Sequence, residues 1–184
     1  MSATSRLVFE QLPAELQTRL EPRVKRLGYL GEFFQVGAHQ PEALAGFIDF
    51  TEALKMKLPD RLVEVIALTA ASETGNGYER VQHERLALKL GFNESEVRSL
   101  VSDGASLDHF SAPERAAIAL ARQVCSARGR ACPAYDELER LVGEEVAVGC
   151  LMTAVRYLAH ATMANTWGLQ PPVPSPLSAP EGHA

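Results

Sequence analysis

Cysteine is scarce in this sequence: Cys125, Cys132 and Cys150 are the only three among 184 residues. An odd count that small cannot build the disulfide framework of a small secreted domain, so a reducing, cytoplasmic setting is expected. Clustered positive charge is missing too. The net charge is −5 and no Lys/Arg block occurs. That argues against a nucleic-acid partner, because phosphate binding needs a concentrated cationic surface. No uninterrupted apolar run reaches the ~18 residues of a membrane helix. The opening stretch, MSATSRLVFEQLPAEL, lacks the apolar segment of a signal peptide, so no membrane association is expected. Period-two alternation is almost absent, which leaves little material for strands. There is no phosphate loop or dinucleotide fingerprint, and no cofactor is expected.

What is present reads as helices. Pro13 opens a segment that runs to Gly28, with Pro22 expected to break or kink it. Pro41 opens PEALAGFIDFTEALKMKL, and Pro59 precedes DRLVEVIALTAASE. Gly75 and Gly77 interrupt before YERVQHERLALKLG, which ends on Gly91 as a left-handed cap. Asn93 with Glu96, and Ser111 with Glu114, have capping-box spacing at the starts of two further helices. Pro133 begins a short helix ending near Gly143, and a long Ala/Val/Leu-rich helix runs from about Glu144 to Trp167. The expected fold is all-α, a single-domain bundle of about eight helices over residues 1–168. Residues 169–184, QPPVPSPLSAPEGHA and its neighbours, form a Pro-rich tail expected to be disordered. A chain of this length can bury roughly 70% of its unfolded surface, so no metal or disulfide staple is needed. LVEVIALTAA is apolar on every face but for one glutamate and must be covered all round, which a chain with few helices is expected to achieve partly through subunit contacts.

Glu64 stands alone in that apolar run, with Ala67, Leu68 and Ala71 at its helical neighbours. Burial of a carboxylate there suits proton transfer. The alternative is a structural ion pair with an arginine such as Arg85. Glu79 and His83 lie one turn apart, so the carboxylate can orient and charge the ring; an exposed charged-helix pair is the plainer reading. Tyr78 and Gln82 form a parallel pair with hydrogen-bonding capacity. The GNG turn at residues 75–77 folds the helix of Glu64 back against that of His83. Arg85 could hold a substrate carboxylate in a bidentate grip, or make an ordinary surface salt bridge. Glu79 and His83 also have metal-compatible spacing, with His39 or His160 as a third ligand. No second E-x-x-H supports that, so no metal is expected. His160 reads instead as a core histidine and His39 as a helix-start residue.

The block LPDRLVEVIALTAASETGNGYERVQHERLALKLGFNESEV resembles the carboxymuconolactone decarboxylase and alkyl hydroperoxidase D-like family. In that family a glutamate-bearing helix is followed by a short turn, a CxxC motif, three residues and a histidine. Glu64 falls on the family glutamate and His83 on its histidine, while Asn76 and Glu79 occupy the two cysteine positions. NGYERVQH is similar to the cysteine-free variant, although Arg80 replaces its frequent tryptophan. GAHQPEALAGF upstream and VRYLAHATMANTWGL downstream extend the resemblance over roughly residues 30–168. The resemblance implies an alkyl hydroperoxidase D-like helical fold and a homo-oligomer, a trimer or hexamer.

The resemblance also implies chemistry, but not that of the peroxidase branch. Asparagine and glutamate form neither thiolate nor disulfide. Cys125 and Cys132, across an Arg/Gly-rich turn, lie outside the motif. The expectation is general acid/base chemistry on a small carboxylated or lactone-type substrate. His83 would shuttle the proton, Glu79 orient it and Glu64 act as a second acid/base, with Tyr78, Gln82 and Arg85 binding substrate. Two alternatives stay open: peroxiredoxin-type activity by another route, and a non-catalytic binding or assembly role.

Overall fold

Prolines and glycines punctuate the chain where helices begin and end. The computed structural model describes residues 4–102, 104–127 and 132–178. These contain nine α-helices, one 3-10 turn at Phe9–Gln11 and no strand. The helices are α1 (Ala14–Leu27), α2 (Glu32–Gly37), α3 (Pro41–Lys55), α4 (Asp60–Glu73) and α5 (Gly77–Lys89). They continue as α6 (Glu94–Val101), α7 (Ala112–Ala127), α8 (Pro133–Val142) and α9 (Glu144–Trp167). Pro41 and Pro133 occupy the first turns of α3 and α8, where a missing N–H has no helical partner to lose. Gly91, with φ of 91°, adopts the left-handed conformation expected after α5. The Arg/Gly-rich turn at residues 128–131 lies outside the described residues, as do residues 179–184.

One local expectation is corrected and one helix is added. α1 runs unbroken through Pro22, because Leu16 and Leu20, each 1% exposed, hold the helix against the bundle. α2, which no proline or cap residue announces, is a single short helix buried through Phe33 and Val36.

The centre of the bundle is α4. Every residue from Leu62 to Ala71 is buried, enclosed by α5, α6, α7 and α9 of the same chain. The cover that seemed to require another subunit is therefore intramolecular, since four helices suffice to surround one. α9, with 24 residues, is the one described helix apolar enough by length and composition to cross a membrane; it packs against α3, α4, α7 and α8. A second apolar cluster joins α1, α2 and α3 to Tyr78, Ala164 and Leu169. The seam between the two clusters positions the site.

Two capping boxes form as their spacing suggests. Asn93 Oδ1 accepts from the Glu96 backbone N–H at 2.9 Å while Glu96 Oε2 accepts from the Asn93 N–H at 2.8 Å. Glu114 Oε2 accepts from the Ser111 N–H at 2.8 Å. Both glutamates also bind Arg61 of α4, which donates to Glu114 at 2.6 Å and to Glu96 at 2.8 Å. The guanidinium lies 3.9 Å from the centre of the Phe92 ring. One arginine thus ties the starts of α6 and α7 to the start of α4.

The Pro-rich segment can be followed as far as Ser178, lying along α5 and α6. Arg85 donates to the Pro174 carbonyl at 2.8 Å, and Arg98 to that of Leu177 at 3.1 Å. The Ser175 hydroxyl donates to the buried Glu84 carboxylate. Proline-rich chain has few N–H groups to satisfy, and here its carbonyls serve as acceptors for helix arginines.

Candidate functional site

The GNG turn creates the site by bringing α5 back along α4. Gly75 takes φ of 62°, a conformation that L side chains adopt only with strain. Asn76 then caps α5, its Oδ1 accepting from the Glu79 N–H at 2.9 Å. Its Nδ2 donates to the Ala161 carbonyl of α9 at 3.1 Å. The position at which the family resemblance places a cysteine here serves as a helix cap and an α5–α9 tie.

His83 and Glu64 meet across the α4–α5 pair, Nδ1 to Oε2 at 2.7 Å. A carboxylate only accepts, so Nδ1 carries the proton and Nε2 is the nitrogen left to exchange with a substrate. Glu79 Oε2 stands 3.7 Å from that Nε2. The geometry reverses the roles expected of the two glutamates. Glu64, 2% exposed, orients the ring from behind, and Glu79 stands on the open side. Arg85 does not pair with Glu64; it lies at the surface bound to Pro174.

Arg156, which the sequence did not single out, and His160, read there as a core histidine, complete the cluster, both from α9. His160 Nδ1 lies 2.7 Å from Glu79 Oε2, and Arg156 is 3.5 Å from the same oxygen. The His160 contact is close without hydrogen-bond alignment: neither Glu79 Oε2 nor either His160 nitrogen has a hydrogen-bond partner among the described residues. Buried polar atoms are seldom left so. Arg156 also donates to Thr51 Oγ1 at 2.9 Å and stacks 4.4 Å from the Tyr157 ring centre. The signal was present in the sequence: Arg156 and His160 are the polar i, i+4 pair of an otherwise apolar stretch of α9. His39 lies elsewhere, bonded to Ser5. Among the described residues no group of three His, Cys, Asp or Glu side chains converges in metal-binding geometry.

Charge is partitioned within the cluster. Burial opposes a charged His83, but the adjacent Glu64, helped by Glu79, outweighs it and raises the ring to about 9. Burial pushes His160 down to about 4, with Glu79 offsetting only part and Arg156 and His83 adding repulsion. At neutral pH one ring is therefore cationic and the other neutral. Burial also opposes charge on Glu79, yet the histidines against it hold its carboxyl well below the ordinary range. Tyr78, 3% exposed, accepts a hydrogen bond from the Phe33 N–H at 3.3 Å, and burial raises its phenol. Gly31 permits that approach, since a Cβ there would lie 2.8 Å from the Tyr78 oxygen.

Beside this cluster opens a cavity of about 230 Å³. Tyr78, Glu79, Gln82, His83, Tyr157 and His160 line it, together with Arg23, Arg26, Lys55, Arg85, Lys89 and Arg156. Among the described residues that line it, Glu79 is the only carboxylate, against six Lys and Arg side chains. An acidic chain thus presents a strongly positive pocket. The cysteines stay outside it and form no disulfide among the described residues. Burial pushes the Cys125 thiol up to about 11 and that of Cys150 up to about 12, the opposite of activation.

Residues 41–123, which carry Glu64, Glu79 and His83, match the sequence model of the carboxymuconolactone decarboxylase family. The fold is that of solved alkyl hydroperoxidase D-like structures. An uncharacterised peroxidase-related protein from Ralstonia eutropha JMP134, with an alkylhydroperoxidase AhpD core, superposes with a TM-score of 0.76 at 20% identity, covering 93% of this chain and 94% of that one. A peroxidase-related protein from Silicibacter sp. TM1040 gives 0.74 at 18% identity, over 92% and 93% of the two chains. The debrominase Bmp8, in a variant bound to 2,3,4-tribromopyrrole, gives 0.73 at 20% identity over 92% and 91%. No curated protein sequence matches the chain.

Proposed function

We propose that the chain is a cysteine-independent acid/base enzyme acting on a small anionic substrate, a carboxylate or carboxylated lactone. The observation that carries this reading is the Glu64–His83–Glu79 relay beside a cavity whose lining holds six cations and one carboxylate. Cationic side chains bind and orient the substrate carboxylate, Arg85 by its planar fork. His83, charged at neutral pH and fixed by Glu64, delivers a proton from Nε2; its conjugate base recovers one in the return step. Glu79 stabilises positive charge passing through Nε2 and holds the open side of the ring. A desolvated setting strengthens each of these electrostatic effects.

The peroxidase alternative draws no support from the thiols, because Asn76 is a cap and the thiols of Cys125 and Cys150 are pushed up. The homo-oligomer, trimer or hexamer, and the cytoplasmic setting belong to the same proposal. Val148, Met152 and Val155, exposed at i, i+4 and i+7 on α9, are the apolar positions to test for a copy-to-copy contact by ultracentrifugation.

The deciding experiment sets a decarboxylation and ring-opening screen of small lactone acids beside a peroxide-reduction assay. Wild type, His83→Gln and a triple Cys→Ser variant are compared. Turnover that survives without cysteines and disappears with His83 supports acid/base chemistry. Peroxide turnover that vanishes in the triple variant overturns it, and silence in every assay favours a binding role.

A further inference from the structure

Lys55 closes α3 and lines the same cavity as His83, Tyr157 and Arg156. Its stem borders a small recess walled by Leu54, Val63 and Thr153. It makes no hydrogen bond or ion pair with the described residues. The nearest carboxylate influence, Glu52, is already bound to Arg23 at 3.0 Å. The other cations of the inner wall are engaged: Arg23 by Glu52, and Arg156 by Thr51 and Glu79. Lys55 is thus an amine in the cavity wall with an apolar stem, no counter-ion and two arginines for neighbours. The helix terminus favours its cation. Burial, with repulsion from Arg156 and Arg23, works against it and prevails over the pull of Glu52, so its ammonium is more readily deprotonated than an ordinary lysine. Desolvation beside like charge is how an amine becomes nucleophilic near neutral pH.

We propose that Lys55 is a covalent nucleophile, which takes a carbonyl-bearing carboxylate such as a β-keto acid into the cavity as an imine. The proposal rests on the acid/base reading above and adds a covalent step to it. The amine lone pair attacks the carbonyl carbon, and the carbonyl oxygen leaves as water with both amine hydrogens. Protonation gives the iminium. The bond to the substrate carboxylate then breaks, its electron pair forming the enamine while the C=N pair moves onto nitrogen, and carbon dioxide leaves. The enamine carbon takes a proton, for which His83 is the cationic donor in the same cavity. Water hydrolyses the resulting imine, returning the ketone and the free lysine, so no oxidant or reductant is consumed.

The test is reductive trapping on the full chain with acetoacetate and cyanoborohydride, read by intact mass and peptide mapping over Lys25, Lys55, Lys57 and Lys89. One adduct, on Lys55, carrying the decarboxylated ketone is expected, falling to background in Lys55→Arg, whose fold is checked by circular dichroism. Lys55→Gln serves as a second variant, and either properly folded variant is sufficient. No adduct on any lysine, equal labelling of Lys25, Lys57 and Lys89, or undiminished labelling in the folded variants would overturn the proposal. His83→Gln separates the two readings. Lactone turnover that needs His83 but persists in an adduct-free Lys55→Arg sinks the covalent step and leaves the acid/base reading standing. Trapping and turnover at Lys55 that are indifferent to His83→Gln sink the acid/base reading and leave the nucleophile.

Discussion

Arg61 and Glu64 stand one turn apart on α4, and each is the centre of a charged cluster. Around Arg61, Glu96 and Glu114 hold the guanidinium at 2.8 and 2.6 Å, each also closes a helix cap, and Phe92 stacks on the remaining face. Around Glu64, the chain of contacts runs through His83 to Glu79 and His160 and ends on buried atoms with no hydrogen-bond partner beside a cavity. The first cluster is saturated: its charges are used up in joining helices. The second holds its charges without satisfying them all, which stability alone does not favour. That difference separates a structural ion-pair network from a candidate site better than burial or perturbed ionisation does.

The comparison can be broken at either end. The largest expected effect is on His83→Gln, whose amide can still donate to Glu64. Turnover should fall by roughly 10²- to 10⁴-fold, the usual contribution of a positioned acid/base group, while the fall in the urea midpoint is limited to what the charge on His83 contributed, since the amide keeps the hydrogen bond. Arg61→Ala should do the reverse. Leaving two capping glutamates without their cation costs about 2 kcal/mol, held to that scale by the solvent access of the arginine. Its kcat should stay at the wild-type level, and equilibrium unfolding beside steady-state kinetics would reveal any crossing of the two effects.

Glu64→Gln sharpens the comparison within the second cluster. Removing the charge while keeping an acceptor should bring His83 down from about 9 toward its ordinary value, moving the alkaline limb of the kcat–pH profile the same way. An NMR titration of the ring in which the variant matches wild type would rule out Glu64 as the charging group. Stability should respond to pH on both sides of neutrality. His83 is raised from 6.5 to about 9, so its stabilising contribution is complete below 6.5 and is lost as pH rises through about 9. His160 is lowered from 6.5 to about 4, so the contribution of its neutral form is complete above 6.5 and is lost as pH falls toward 4. Melting temperatures scanned over pH should fall in both directions, and the alkaline decline should shrink in His83→Gln. The smallest effect is expected from Arg85→Ala. Losing one exposed member of a six-cation lining should raise KM severalfold with kcat kept.

Much of this arrangement was legible from local pattern. Prolines, capping boxes and Gly91 mark helix boundaries because the rules governing them reach only three or four residues. Glu64 stood out by chemistry, as a carboxylate in an apolar run, and the GNG turn implied its approach to His83. α2 escaped notice because a helix of six residues has too few positions to show a period. The division of labour between Glu64 and Glu79 escaped for another reason: the i, i+4 rule pairs Glu79 with His83, yet the shorter bond crosses from α4 at 2.7 Å.

By itself, then, the sequence determined an all-α chain, most of its helix boundaries, and a histidine with two glutamates at its disposal. Tertiary structure decided which glutamate holds the ring and which faces the cavity. It brought Arg156 and His160 from α9 against Glu79, and Lys55 from the end of α3 into the same wall. It also enclosed α4 within one chain. Local periodicity reports which face of a helix is apolar. Which neighbour that face meets, and in what rotation, is set by packing among all the helices at once.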